Sequence, residues 1–165
     1  GSLVITDADS EAARQFQSEL NAVFEQLATD LIRDAEGASK FITIEVNEGA
    51  SEQECLAVAY TVAESPLVKT AFFASDPNWG RILAAIGRAG LSDLDIESVT
   101  VALGDTLLVS KGAVDAAYSE RAGQSEMDKD AIRVQINLGR GKARTRVWTS
   151  DLSSEYVRIN ADYRS

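Results

Sequence analysis

The sequence contains no histidine and only one cysteine, Cys55. Without histidine, a Ser-His-Asp or Cys-His mechanism cannot be completed within this chain. A zinc site built from histidine and cysteine is excluded for the same reason, and we expect no metal. A single cysteine cannot form a disulfide within the chain, which fits a reducing compartment and favours a cytoplasmic location.

Long apolar runs are also missing. No segment approaches the length that crosses a bilayer, and no signal-peptide pattern opens the chain. Sixteen basic residues stand against 26 acidic ones, a formal net charge of -10. Nucleic acid and anionic membrane surfaces repel such a chain, so neither is expected as the main partner. The 165 residues fit one domain, or two small lobes that share a core, with a soft lobe boundary near residues 90–98.

The first third of the chain predicts a helix, a strand and a second helix. Thr6–Asp9 offers a helix cap. Apolar residues then recur on one helical face, which predicts a long amphipathic helix that buries this face and ends near Gly37. The face consists of Phe16, Leu20, Val23, Phe24, Leu27 and Leu31. Phe41–Val46 alternates as a half-buried strand does, and residues 47–50 supply a turn. Ser51–Glu54 is a capping box that opens the next helix, through about Glu64.

The middle of the chain predicts one further helix. Ser65-Pro66 stops the preceding helix, because a residue before proline avoids the helical region. The short apolar segment Val68–Ala74 is interpreted as a buried strand or an extended segment. Ser75–Asn78 forms a turn that caps a helix ending at Gly90. The buried face of that helix consists of Trp79, Ile82, Leu83 and Ile86.

The second half predicts hairpins. Residues 99–103 and 106–109 flank Gly104-Asp105, a two-residue hairpin turn. A short helix is expected within residues 115–130. Residues 132–138 and 143–148 then form a second hairpin around Gly139–Gly141. Helices in the first half and antiparallel hairpins in the second favour an α+β fold over a doubly wound parallel sheet.

The C-terminal segment has the pattern of a docked helix. Leu152, Tyr156, Ile159 and Tyr163 follow helical spacing, so one face can pack on the core. Asn160 and Ser165 then lie near the docked end as small polar groups that can hydrogen-bond a ligand. Spacing alone favours an ordinary packed helix.

Several polar clusters have simpler structural interpretations. Residues 139–142 lack the spacing of a phosphate-binding loop and lead into a strand. Arg144 and Arg146 fit a solvated sheet edge. Asp76 and Asn78 fit a helix cap, and Trp79 and Arg81 follow them in the same segment. Glu36 lies where a helix gives way to a strand, and a solvated carboxylate is the commoner outcome there.

Three segments favour a functional role over these structural interpretations. They are Arg33–Phe41, Ser65–Arg81 and Tyr156–Tyr163. Together they resemble the ornithine acetyltransferase family, also called the bifunctional glutamate N-acetyltransferase of arginine biosynthesis. The segments occur in the family's order and span most of the chain. The resemblance implies the fold of the C-terminal region of the β chain in self-processing proteins of the DmpA and ArgJ type.

The resemblance also implies three substrate-binding residues. Glu36 matches the family's substrate-binding glutamate, and Asn160 matches its asparagine near the C-terminus. Ser165 matches its terminal hydroxyl residue, usually threonine. The implied substrates are N-acetylornithine and glutamate. A carboxylate such as Glu36 can pair with an ammonium, while an amide and a hydroxyl can bind polar ends of either substrate.

The catalytic start of the family is missing. Family members cut themselves before a threonine, whose hydroxyl then accepts the acetyl group with its own α-amine as base. This chain opens with Gly1-Ser2-Leu3, and Thr6 is internal. We therefore predict no catalytic residue in the chain and no activity of the chain alone. The implied partner is the α chain of the same precursor, in an α2β2 assembly.

No cofactor is expected, and the sequence leaves open whether acetyl-CoA also serves as an acetyl donor. Two other functions are kept as alternatives. One is a non-catalytic ligand-binding or interaction module on the same scaffold. The other is a related self-processing acyl hydrolase or aminopeptidase.

Overall fold

The computed structural model describes residues 5–162 and confirms the α+β class. The helices of this part are α1 Glu11–Arg33, α2 Glu52–Ala63, α3 Pro66–Phe73, α4 Trp79–Gly87, α5 Glu120–Met127 and α6 Ser154–Asp162, with a 3-10 turn at Ile96–Ser98. The strands are β1 Phe41–Gly49, β2 Thr100–Leu103, β3 Thr106–Ser110, β4 Ala113–Val114, β5 Ala131–Asn137 and β6 Ala143–Ser150.

A six-stranded sheet in the order β4-β3-β2-β5-β1-β6 forms the centre of the molecule. β1 pairs parallel with β5 and antiparallel with β6. Ile42, Ile44 and Val46 alternate along β1 and are all 0% exposed, which confirms the predicted strand and its buried face. The predicted hairpin of β2 and β3 is confirmed as well.

Helices α2, α3 and α4 add to the buried core that covers this sheet face. The Ser51 hydroxyl accepts a hydrogen bond from the Glu54 N–H at 3.1 Å, so the predicted cap of α2 is confirmed. The Asn78 side chain accepts from the Arg81 N–H at 3.2 Å and begins α4 as predicted. α4 ends at Gly87, three residues before the predicted Gly90. The lobe boundary near residues 90–98 stays a prediction.

The prediction of a second hairpin was wrong. β5 and β6 both form, but β1 lies between them. The connecting residues cross the end of β1, where the Leu138 N–H donates to the Asn47 carbonyl at 3.0 Å. β1 extends to Gly49, through the predicted turn. Alternation along a strand shows which face is buried but does not identify the neighbouring strand.

The segment Val68–Ala74 was predicted wrongly as a buried strand or an extended segment. It forms most of helix α3, with Ala74 as the residue that caps its C-terminus. Pro66 stands in the first turn, where its missing N–H needs no helical partner and its fixed φ suits a helix. Val68, Ala71 and Phe72 are buried, at i, i+3 and i+4. The short apolar run therefore marks a buried helix, because periodicity cannot separate the two structures over so few residues.

Helix α1 forms and ends at Arg33, short of the predicted end near Gly37. Its predicted cap and its predicted buried face were both wrong. It begins after Ser10, whose hydroxyl accepts from the Ala13 N–H at 3.1 Å, and not at Thr6–Asp9. No α1 residue is buried. Phe24 and Leu27 on its apolar face are 59% and 55% exposed. An ion pair of 2.7 Å joins the helix to β6, between Glu25 and Arg146.

Helix α6 forms without the predicted buried face. No described residue of α6 is buried, Tyr156 is exposed, and Tyr163 lies outside the described residues. Contacts of its first turn hold it in place. Among the helices within residues 5–162, none combines the length and apolarity needed to cross a membrane.

Candidate functional site

Glu36 lies in the turn between α1 and β1, against the start of α6. Arg33 stacks over the ring of Phe41 at 4.2 Å and fixes the two ends of this turn. Gly37 has φ +71°, and a Cβ atom there would lie 2.6 Å from the Tyr156 nitrogen. The backbone of α6 therefore packs directly on the backbone of Gly37. The Ser153 hydroxyl donates to the Gly37 carbonyl and accepts from the Tyr156 N–H at 3.0 Å.

This packing brings two of the three predicted substrate-binding residues together. The Asn160 Nδ2 donates to Glu36 Oε2 at 3.2 Å and to the Tyr156 carbonyl at 2.9 Å. Both side chains are exposed, so a ligand can reach them. Ser165, the third predicted residue, lies outside the described residues.

A buried carboxylate stabilises the turn between α1 and β1. Asp151 is only 4% exposed. Its Oδ1 accepts from the backbone N–H groups of Ser39 and Lys40 at 2.8 and 3.0 Å, and its Oδ2 accepts from the Ser39 hydroxyl at 2.6 Å. Hydrogen bonds to a charged, buried acceptor are among the stronger ones in proteins. Asp151 thereby fixes the segment after Glu36 to the segment before α6.

A cavity of about 290 Å³ opens beside this junction. Its lining carries the charged residues Glu36, Glu64, Lys69 and Asp151, together with Ala35, Pro66, Ser150, Leu152 and Tyr156. The cavity is large enough for an amino-acid-sized ligand. Carboxylates and one ammonium line it together, which suits a ligand that carries charges of both signs.

Lys69 supplies the ammonium of the cavity, from α3. Its Nζ donates to the Thr149 hydroxyl at 2.8 Å. Partial burial lowers the pKa of Lys69 from its ordinary value, while the negative charge of Asp151 acts in the opposite direction. The Lys69 carbonyl accepts from the Leu152 N–H at 3.2 Å, which joins α3 to the segment before α6.

Sequence reasoning missed Lys69 and Asp151 as parts of the site. Lys69 is the one charged residue of α3 and belongs to the Ser65–Arg81 segment, which could have marked it. Asp151 gave no such signal, because its role depends on residues more than 100 positions away. The Arg81 guanidinium joins α4 to α3, since its Nη1 donates to the Leu67 carbonyl at 2.8 Å.

The α+β fold thus carries a cavity with charged groups of both signs beside the contact of Glu36 with Asn160. The model of the ArgJ family matches residues 2–165, and the chain belongs to that family. The resemblance in the three sequence segments is thereby confirmed.

ArgJ proteins from several bacteria are similar to this chain. The arginine biosynthesis bifunctional protein ArgJ of Pseudomonas fluorescens is 50% identical over 168 residues, covering 100% of this chain and 42% of that protein. The ArgJ protein of Methylococcus capsulatus is 53% identical, covering 98% of this chain and 40% of that protein. The crystal structure of ArgJ from Bacillus halodurans has a TM-score of 0.91 at 33% identity and covers 98% of this chain and 75% of that one. The chain spans about two fifths of the length of these curated relatives.

Proposed function

We propose that this chain is the C-terminal portion of the β chain of a glutamate N-acetyltransferase that uses N-acetylornithine as the acetyl donor. The observation that carries the proposal is the contact of Glu36 with Asn160, 124 positions apart, beside a charged cavity in a chain of the ArgJ family. The name shared by the relatives, arginine biosynthesis bifunctional protein, supports the pathway.

The proposed reaction has two half-reactions, and its nucleophile is a threonine of a segment upstream of this chain. In the first, the threonine hydroxyl attacks the acetyl carbonyl of N-acetylornithine. The amide C–N bond breaks, the acetyl group forms an ester with threonine, and the hydroxyl proton passes through the threonine α-amine to the departing ornithine amine. In the second, the glutamate amine attacks the ester carbonyl and forms the amide C–N bond of N-acetylglutamate. The ester C–O bond breaks, and a proton of the glutamate amine passes through the threonine α-amine to the threonine oxygen.

The role of this chain in that reaction is substrate binding. The Glu36 carboxylate pairs with the free ammonium of N-acetylornithine, while Asn160 and Ser165 hydrogen-bond polar groups of the substrates. Holding each substrate with its reacting carbonyl or amine against the threonine lowers the entropic cost of the reaction. No cofactor is needed, and acetyl-CoA would enter as a second acetyl donor to the same threonine.

The exposed face of α1 supports a further part of the proposal, which is assembly with the upstream α chain. Phe24, Leu27 and Leu31 stand 55–74% exposed on one face of this helix. A contiguous apolar face of this kind marks an interaction surface in a folded protein. The relatives are more than twice as long as this chain. The part of a relative that this chain does not match is therefore long enough to cover the exposed face of α1. The proposed assembly is α2β2, and the proposed location is the cytoplasm.

Alanine at position 36 or 160 tests the proposed role. In the protein produced from its complete gene, Glu36→Ala and Asn160→Ala are each expected to lower kcat/KM for N-acetylornithine by about 100-fold, because each loses a polar contact to the substrate. Both side chains are exposed, so the melting temperature should change little. Glu97→Ala, at an exposed acidic residue of the 3-10 turn, is the matched control and should retain activity.

Full activity of both variants would contradict the proposal. Two other outcomes would support the alternatives. Binding of N-acetylornithine by the wild-type protein without transfer would favour a binding module. Release of acetate or of an amino acid, with no dependence on glutamate, would favour an acyl hydrolase or aminopeptidase.

A further inference from the structure

The two substrates of the proposed reaction place opposite demands on one cavity, and this inference rests on that proposed function. The side chain of N-acetylornithine ends in an ammonium, whereas the side chain of glutamate ends in a carboxylate. Glu36 attracts the first group and repels the second. A cavity lined only by carboxylates would therefore bind the donor and reject the acceptor.

Lys69 is the cation that can offset this repulsion. Glu36 and Lys69 line the same cavity of about 290 Å³. Within the described part of the chain, Lys69 forms no ion pair, and its Nζ has hydrogen bonds only to Thr149 in that part. The nearby Asp151 oxygens accept instead from Ser39 and Lys40. An ammonium carries three N–H donors, so two remain for a ligand.

A hydrogen bond to Thr149 helps to orient the Lys69 ammonium. The Thr149 hydroxyl donates to the Ala63 carbonyl at 3.2 Å, so its lone pairs are left to accept from Lys69. Thr149 is itself buried, at 8% exposed. Thr149, which is not among the residues that line the cavity, therefore takes one donor of the Lys69 ammonium, and two donors are left for a ligand. Such a preorganised cation binds a carboxylate without first losing much side-chain freedom.

We infer that Lys69 binds the side-chain carboxylate of glutamate in the cavity where Glu36 binds the ammonium of ornithine. The two residues then divide the recognition between the half-reactions. Glu36 selects the acetyl donor, and Lys69 selects the acetyl acceptor. Specificity of this kind uses an attractive group for one substrate and a repulsive group for the other.

A purely structural role of Lys69 makes a different prediction. In that role the ammonium would balance the carboxylates of the cavity and hold Thr149. Its loss would then disturb the cavity as a whole and weaken both half-reactions alike. The two roles are separated by kinetics that report on each substrate individually.

The test compares Lys69→Met with Glu36→Gln in the protein produced from its complete gene. In a two-step transfer through an acyl-enzyme, kcat/KM for each substrate reports on its own half-reaction. Lys69→Met should lower kcat/KM for glutamate by about 30-fold, as expected for loss of a hydrogen-bonded ion pair, and should leave the value for N-acetylornithine within about threefold. Glu36→Gln should show the reverse pattern.

A second measurement does not depend on how much of the variant folds. The wild-type protein should prefer glutamate over glutamine as acceptor, and Lys69→Met should lose that preference. Lys69→Arg, which keeps the charge, should retain most of it. An equal loss in both half-reactions, or an unchanged preference for glutamate, would overturn the inference alone. A wild-type protein that transfers no acetyl group from N-acetylornithine would overturn the proposed function, and the inference with it.

Discussion

Gly37→Ala is expected to destabilise the protein by about 3 kcal/mol and to release α6 from its position. The φ of +71° at Gly37 lies in the left-handed region, which costs a residue with a Cβ about 1–2 kcal/mol. The added Cβ would also lie 2.6 and 2.9 Å from backbone atoms of Tyr156, and a backbone cannot move aside as a flexible side chain can. Overpacking of this kind costs about 1–3 kcal/mol more.

Gly90→Ala is the matched control for this prediction. Gly90 has φ +79°, and a Cβ there would meet nothing within 4 Å. This variant should therefore lose only the conformational part, about 1 kcal/mol. Urea unfolding gives both free energies, and hydrogen exchange of the α6 amides shows whether that helix is released. Equal destabilisation by the two variants would contradict the packing of α6 on Gly37.

The second large effect is expected at the buried carboxylate. Asp151→Ala should lower the free energy of unfolding by about 4 kcal/mol, because three charge-assisted hydrogen bonds are lost and the N–H groups of Ser39 and Lys40 lose their acceptor. Since these bonds fix the segment after Glu36, substrate binding should weaken as well. Urea unfolding measures the first effect, and KM for N-acetylornithine measures the second.

Asp151→Asn separates the hydrogen bonds from the charge. The asparagine carbonyl can accept from Ser39 and Lys40 as Oδ1 does, and its NH₂ group can donate to the Ser39 hydroxyl. This variant should lose only about 1 kcal/mol of unfolding free energy, the difference between charged and neutral acceptors. If alanine costs no more than asparagine, Asp151 does not brace the turn in the way described.

The sequence predicted those elements whose signals are local. The alternation in β1, the Ser51 cap of α2 and the Gly104-Asp105 turn each lie within a few residues of the structure they specify. The partner of β5 was predicted wrongly, because pairing is decided across the whole sheet. The apolar face of α1 was recognised, but its pattern does not show whether the covering surface belongs to the same chain.

The candidate site shows the same difference between local signals and contacts that are distant in sequence. Glu36 and Asn160 were selected through their match to family segments. In the structure the Asn160 Nδ2 lies 3.2 Å from Glu36 Oε2. Nothing in their local sequence predicts this contact. Lys69 and Asp151 were missed because their roles depend on residues 80 and more than 100 positions away, Thr149 for the first and Ser39 and Lys40 for the second. Such contacts arise only when the sheet forms.

The most direct test of the central claim is a single assay of N-acetylglutamate formation from N-acetylornithine and glutamate. The purified 165-residue chain is compared with the protein from its complete gene. The proposed function predicts N-acetylglutamate from the complete protein and none from the chain alone, because in that proposal the chain supplies substrate contacts and an upstream threonine supplies the nucleophile. Acetyl transfer by the chain alone, or none by the complete protein, would contradict this account.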